Sequence, residues 1–426
     1  MKWYCTRGET NIPFLFLIIN IKYRMMKKHQ GVKSIGQTSK STTVNMIRFL
    51  SSKYDFLYNV ILNEVLVREK GTSEYYPANL NTLYIEAREA GHKTSVGEIN
   101  TFLCSDYIPR INPFESYFET HEHWWKEEKH GDYIEKFAQY ISVDDPKRFV
   151  VQFKKWLVRC VVCSLNDDYF NKQALIFVQD DQNSGKTTLT RFLIPEVLKD
   201  YQVENISVDK DSLIALCQNF GVIQDELSTL SKTEINAQKT LMSKSYIKVR
   251  HPYDRRPKME PRRASIWGST NKAEFLVDET GSVRWLCFGV REINWAYKSE
   301  IDINVVWSQA YQLYKSGFKY EMTVPEILDN ELANSKYKTT TIEFELIQKF
   351  YSPATKDRFD QFYTATDLCE NLASRTDGKL RISPVEIGKA LKFLGFIQTQ
   401  KRGHEDQRFP VKGYYILHND LTTYYK

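Results

Sequence analysis

Apolar positions fall into three kinds of pattern along the chain. Residues 54–62 alternate between apolar and polar, the period of a half-buried strand. In residues 81–90, Leu83, Ile85, Ala87 and Ala90 recur at helical spacing, and Gly91 ends the run. Residues 107–114 form a two-proline loop, and an aromatic-rich helical stretch follows. Residues 149–164 read as a strongly apolar helix whose polar face is Lys154, Lys155 and Arg159. Three short runs, 174–178, 220–223 and 264–268, are apolar without alternation, as expected of strands covered on both faces in a parallel sheet. Near the end, 364–372 starts like a capped helix. Residues 383–394 form a second one, with Ser383 at the N-cap, Pro384 at the first helical position and Gly395 as the stop. Residues 396–399 then pair with 413–417 around a basic, glycine-containing tip at 400–404. The pattern divides the chain into a leader (1–44), a mixed α+β region (45–145), an α/β segment (146–335) and a small C-terminal segment (340–426).

Length agrees with this division, since 426 residues at ~150 per domain make about three domains. A composition of 42% hydrophobic and 14% aromatic residues excludes a disordered or collagen-like chain. The net charge of +6 is concentrated: eight Lys or Arg and only Asp254 and Glu260 lie between Lys244 and Arg263, and the rest of the chain balances. One segment therefore invites a polyanion. The seven cysteines are odd in number and scattered, which fits a reducing compartment. Cys160 and Cys163 form a lone CxxC and read as small buried helix residues, so no zinc is expected. His121, His123 and His130 read as a solvated helix face. The ten-residue run 12–21, broken by Pro13 and Asn20, is too short to span a bilayer, which takes ~20 apolar residues. Met25 and Met26 follow it, and an overextended start fits at least as well as a targeting role. The expected location is cytoplasmic, with no membrane partner.

The chemistry begins after the run 174–178, where Gln182-Asn-Ser-Gly-Lys-Thr-Thr188 precedes a helical stretch. Strand, loop, Gly-Lys-Thr and helix is the context of a phosphate-binding loop. Backbone N–H groups of Gln182, Asn183, Ser184, Gly185 and Thr188 are expected around phosphate oxygens, with Lys186 at the β- and γ-phosphates of ATP and Thr187 on Mg²⁺. One position departs from the usual string: Asp180 stands where a first glycine belongs. The second run ends in Asp225 and Glu226, the first suited to Mg²⁺ and the second to activating water. The third ends in Ser-Thr-Asn271, on a strand expected between the other two, where Asn271 can sense the γ-phosphate.

These motifs, with Tyr54-Asp-Phe-Leu-Tyr-Asn-Val, Asn112-Pro-Phe-Glu-Ser-Tyr-Phe, Lys155-Trp-Leu-Val, Arg250-His-Pro-Tyr-Asp and Asp278-Glu-Thr-Gly-Ser-Val-Arg-Trp, resemble the virulence-associated E family from about Tyr54 to the end. Its ATPase core is similar to superfamily 3 helicases of viruses and phages. The resemblance implies a P-loop, AAA+-like α/β core and an ATP-dependent replication protein of a phage or mobile element. It also implies a homo-oligomeric, hexameric ring in which one subunit completes its neighbour's site. The family usually places two basic residues before the last aromatic of the final motif; here Val283 takes the first place and leaves Arg284.

In such helicases the stretch between the acidic and sensor strands forms a hairpin that tracks DNA. That assigns Lys248, Arg250, His251, Tyr253, Arg255 and Arg256 to single-stranded or forked DNA, the cations on phosphates and Tyr253 stacked on a base. Arg262 or Arg263 could instead face nucleotide across a subunit boundary, a finger role for which Arg284 competes. The two C-terminal helices and hairpin read as a winged helix, with Lys389 and Lys392 facing a groove. The leading expectation is a DNA-dependent ATPase or helicase. The rivals are a non-hydrolysing DNA-binding scaffold, kept open by Asp180, and a protein-remodelling ATPase that leaves the basic hairpin unexplained.

Overall fold

The computed structural model describes residues 42–179, 184–207, 209–225, 227, 232–251, 256–271, 275–276, 283–338, 341–376, 380–401 and 410–419. The leader and Asp180, Gln182, Asn183, Glu226, Tyr253 and Arg255 lie outside them. The fold is mixed α/β with several sheets. It divides into two compact units, the first reaching to Lys272 and resuming over Val283–Ala333, the second holding Phe275, Leu276 and the chain from Asn334 onward.

The first unit opens with a small sheet. β1 (Tyr54–Asn59) pairs antiparallel with β2 (Glu64–Glu69), which pairs with β3 (Tyr76–Pro77); β4 (Arg110–Ile111) runs parallel to β1 on its other side. Tyr54 and Phe56 lie in a core with Met46, Leu50, Leu83, Ala87 and Ile99 from three helices, and Leu57 and Asn59 are buried on the other face, so β1 is covered on both sides and not on one as its alternation suggests. Two of those helices start at side-chain caps, Asn79 and the Ser95–Glu98 capping box.

The larger sheet is formed by β5 (Ile141–Val143), β6 (Ala174–Val178), β7 (Gln202–Glu204), β8 (Gly221–Gln224), β11 (Ser265–Thr270) and β12 (Trp285–Ile293), in the order β5-β12-β6-β11-β8-β7. All neighbours are parallel except β5, which is antiparallel to β12. Every residue of β6, β8 and β11 is buried, which is why these strands read as continuous apolar runs. Between β8 and β11 the chain makes a separate antiparallel pair, β9 (Tyr246–Val249) with β10 (Lys258–Pro261).

The helix Pro146–Leu165, capped by Asp145 with Pro146 in its first turn, packs into the core of this unit. Cys160 and Cys163 are buried in it, as read from sequence. Its supposed polar face is a correction: Lys155 and Arg159 are buried. Lys155 Nζ lies 2.8 Å from both carboxylate oxygens of Glu326 and donates to the Glu321 carbonyl at 3.1 Å; Arg159 Nη1 donates to the Tyr320 carbonyl at 2.7 Å. The segment 320–326 thus neutralises Lys155 through Glu326 and supplies Arg159 with one carbonyl. Periodicity alone reads charge as exposure.

In the second unit, helices Ile342–Phe350, Ala365–Arg375 and Pro384–Phe393 pack on a sheet of β13 (Tyr351–Pro353), β14 (Gln361–Tyr363), β15 (Gln398–Lys401) and β16 (Val411–His418), around Ile347, Leu368, Leu372, Ile387, Leu391 and Ile416. β16 is central and takes β13, β14 and β15 as antiparallel partners. The helix Ala365–Arg375 has a Thr364–Asp367 capping box. Ser383 occupies the N-cap of the next helix without a side-chain capping bond, and its backbone N–H donates to Glu343 instead. Among the described residues no helix is long and apolar enough to cross a membrane.

Candidate functional site

Three parallel neighbours, β6, β11 and β8, deliver their carboxyl ends to one edge of the sheet. The chain leaving β6 reaches Gly185 at φ +90°, a left-handed conformation suited to glycine, and enters the helix Lys186–Phe192. Lys186 is 5% exposed, and its Nζ donates to the Gln179 carbonyl at 3.0 Å and to Ser184 Oγ at 2.9 Å. Thr187 and Thr188 follow in the first turn, both half-buried.

Asp225, directly after β8, is the hub of the site. One carboxylate oxygen accepts from Thr187 Oγ1 at 2.7 Å, and the other accepts from Ser269 Oγ. Its backbone N–H donates to Asn205 Oδ1 at 2.9 Å, and Asn205 holds a left-handed φ of +52° to do so. Beside Asn205, Glu204 takes a bidentate pair from Arg191 of the phosphate-loop helix, at 2.7 and 2.9 Å. That guanidinium holds the Glu204 carboxyl below its usual range, while Glu204 raises Arg191. Gly268 explains its own place in the Gly-Ser-Thr-Asn string. A Cβ there would fall 1.8 Å from the Gln224 carbonyl oxygen, so only glycine lets β11 approach β8 closely enough at this point.

Asn271 follows β11 at the same edge, half-buried. The structure therefore brings together Lys186, Thr187, Asp225 and the β11 terminus. Glu226, Gln182 and Asn183 lie outside the described residues. Ser269 and Asn205 were missed by sequence reasoning. Ser269 had a weak signal as a hydroxyl two residues before Asn271; Asn205 had none, because its partner is twenty residues away across a strand.

The finger candidates separate clearly. Arg262 is 1% exposed and gives its donors to the carbonyls of Ala264, Leu241, Met242 and Asn171. Buried, with four of its five N–H donors on backbone carbonyls of its own subunit, Arg262 is not presented to a neighbour, which corrects that expectation. Arg263 bonds the Ser164 carbonyl at 3.0 Å and Asp167 at 2.6 Å. Arg284 is half-buried, with Nε donating to Ser243 Oγ at 3.0 Å.

In the β9–β10 pair, Ile247 and Val249 are buried while Tyr246, Lys248 and Arg250 are exposed, the alternation of a strand with one wet face. Arg256 and Lys258 are exposed on the returning side. His251 is turned inward instead, its Nε2 2.8 Å from Glu260 Oε1. In the second unit Lys392 is exposed, and Lys389 pairs with Glu386 at 2.9 Å.

The histidine cluster differs from expectation. His121 is buried, with Nδ1 2.8 Å from the Tyr117 carbonyl oxygen, and burial lowers its pKa; of the three, His123 is exposed and His130 half-buried. Aromatic neighbours Tyr117 and Trp124, at ring distances of 4.5 and 4.3 Å, bury it. Among the described residues no group of three or more His, Cys, Asp or Glu is placed to hold a metal.

The family model described as "Virulence-associated protein E-like domain" matches residues 120–340. No curated protein matches the chain. Among solved structures it is similar to the apo structure of the NrS-1 C terminal region, at 10% identity and a TM-score of 0.47, over 89% of this chain and 100% of that one. An A form of the same region gives 12% identity and a TM-score of 0.44, over 88% and 100%.

Proposed function

Because the chain belongs to the virulence-associated protein E-like domain family, we propose that it is a replication protein with a DNA-dependent ATPase of superfamily 3 helicase type. The observation that carries this reading is the meeting of Lys186, Thr187, Asp225 and Ser269 at the carboxyl ends of three adjacent parallel strands, the place where open α/β sheets bind ligands.

In this reading residues 146–335 are a P-loop core. Lys186, now bonded to its own loop, exchanges those partners for phosphate oxygens. Ser184, Gly185, Thr187 and Thr188 supply the loop around them, with Gln182 and Asn183. The Thr187 hydroxyl and the Asp225 carboxylate are hard oxygen donors at hydrogen-bond distance, which fits Mg²⁺, an ion that needs only one or two carboxylates beside its phosphates. Bound there, Mg²⁺ would neutralise charge that develops on the phosphates. Ser269 and Asn205 hold the Asp225 carboxylate and backbone in place. Asn271 orients water, Glu226 accepts its proton, and Arg284 serves as the finger toward a neighbouring subunit.

The exposed Lys248, Arg250 and Arg256 contact DNA, a role also assigned to Tyr253 and Arg255, and His251 braces the β9–β10 pair through Glu260. The second unit is a winged helix that offers Lys392, and Lys389 beside Glu386, to DNA. The test is ATP turnover with and without single-stranded DNA for the wild type and Lys186→Ala. Turnover that DNA stimulates, and that Lys186→Ala loses by ~10²-fold or more, is expected. Unchanged turnover in Lys186→Ala would end the reading.

A further inference from the structure

The geometry points to Trp295 as the surface on which the purine base of a bound nucleotide stacks, an inference that rests on the nucleotide reading above. A Cβ built on Gly185 would fall 2.5 Å from Cζ2 and 2.7 Å from Cη2 of Trp295. The six-membered edge of the indole therefore lies against the bare Cα of the residue just before Lys186, and Trp295 borders the phosphate loop directly. Trp156, Trp267, Trp285 and Trp307 are fully buried, whereas Trp295 is 47% exposed.

Its position is fixed from behind. Asn294 N–H donates to the Tyr140 carbonyl at 2.8 Å, and Asn294 Oδ1 accepts from Ala296 N–H at 3.0 Å. Tyr297 is fully buried and meets the ring of Phe192 edge-on at 4.8 Å. Phe192 ends the helix that begins at Lys186, so this core contact joins the segment that carries Trp295 to the phosphate-loop helix. Lys298 Nζ stands 4.5 Å over the indole centroid and covers one face. The ring's remaining exposed surface suits a flat π-system, which a purine provides.

Phosphates held at Gly185 and Lys186 leave the base of the same molecule within reach of a ring that touches Gly185. Stacking of this kind tolerates different bases, so adenine and guanine nucleotides bind with similar gain from Trp295. The contact is to the base alone. It is absent for inorganic triphosphate.

The experiment is equilibrium binding of Mg-ATP and of inorganic triphosphate to the full chain, for the wild type, Trp295→Ala, Trp295→Phe and Lys186→Ala. Loss of one base–aromatic stack corresponds to roughly a ten- to hundredfold weaker affinity. Trp295→Ala is expected to weaken ATP by that factor and leave triphosphate unchanged. Trp295→Phe should recover most of the loss, which shows that a misfolded variant is not the cause. Lys186→Ala should weaken both ligands. An unchanged ATP affinity in Trp295→Ala overturns the inference, as does an equal loss for both ligands. Tighter ATP binding in Trp295→Ala also overturns it, since the ring would then be an occluding cover. Wild-type protein that binds neither ligand sinks the nucleotide reading itself.

Discussion

At the scale of single residues, the site is organised around the position of one carboxylate. Asp225 accepts from Thr187 on one oxygen and Ser269 on the other, and its backbone is held by Asn205. A hydrogen bond to a charged group contributes about 1.5–3 kcal/mol. Ser269→Ala is therefore expected to leave the Asp225 carboxylate held by Thr187 alone and to raise the Mg²⁺ concentration needed for half-maximal turnover by roughly tenfold or more, with Ser269→Thr restoring it. An Mg²⁺ titration of ATPase rate checks this; an unchanged midpoint would make Ser269 a strand residue only. The first rank of site residues was legible because it follows buried strands in sequence: Lys186 and Thr187 after β6, Asp225 after β8, Asn271 after β11. Ser269 and Asn205 bond Asp225, and Trp295 borders Gly185, from distant parts of the chain, and no local spacing encodes that. Arg262 was misread for the converse reason. A basic doublet looks like surface charge, and nothing in the string reveals four carbonyls converging on one guanidinium.

Among the elements, the helix Pro146–Leu165 and the segment 320–326 show how charge can be built into a core. Gln152, Lys155 and Arg159 all meet that segment, through Glu326, the Glu321 carbonyl and the Tyr320 carbonyl. Burial pushes the Glu326 carboxyl up, but the Lys155 ammonium and the Thr323 hydrogen bonds outweigh it and hold it below the ordinary 4.5. A carboxyl whose pKa is lower folded than unfolded stabilises the fold above its unfolded value, and the contribution fades as pH falls through the folded value. Stability should therefore decline from about pH 4.5 downward. Glu326→Gln should be less stable at pH 7 and lose less between pH 7 and pH 3.5, because the titrating partner is gone. Urea midpoints at the two pH values decide it; parallel losses in both proteins would place the acid-sensitive group elsewhere. Arg262 provides the matching test for a buried cation without a carboxylate. Lys cannot serve four carbonyls arranged for a planar fork. Arg262→Lys should cost about 2–4 kcal/mol, the penalty of a few unsatisfied buried acceptors, seen as a lower urea midpoint. Helix and strand boundaries were largely readable here, because the caps and apolar runs are local. Which face of a helix a neighbouring segment covers was not.

For the whole molecule, the proposed function leaves two units to carry a DNA contact, since each offers exposed cations. The formal charge of +6 is concentrated in the segment that contains β9 and β10, where Lys248 and Arg256 are exposed. In the second unit Lys389 is already paired with Glu386, so only Lys392 adds an uncompensated charge to the helix Pro384–Phe393. Each phosphate neutralised on a single strand contributes about 0.7 to the slope of log affinity against log salt. Lys248→Ala with Arg256→Ala should thus make that slope shallower by about one to two units, alike on unrelated sequences, because cations on phosphates read no bases. Lys389→Ala with Lys392→Ala should change it by less than one. Basal ATP turnover should survive in both double variants, since none of the four residues belongs to the phosphate site, while DNA stimulation should fall in the first alone. Salt titrations of single-stranded DNA binding, run beside the turnover measurement, distinguish the two units directly. If the first pair leaves the slope and the stimulation untouched and the second removes them, the β9–β10 pair is a solvated ornament of the core and the DNA contact belongs to the C-terminal unit.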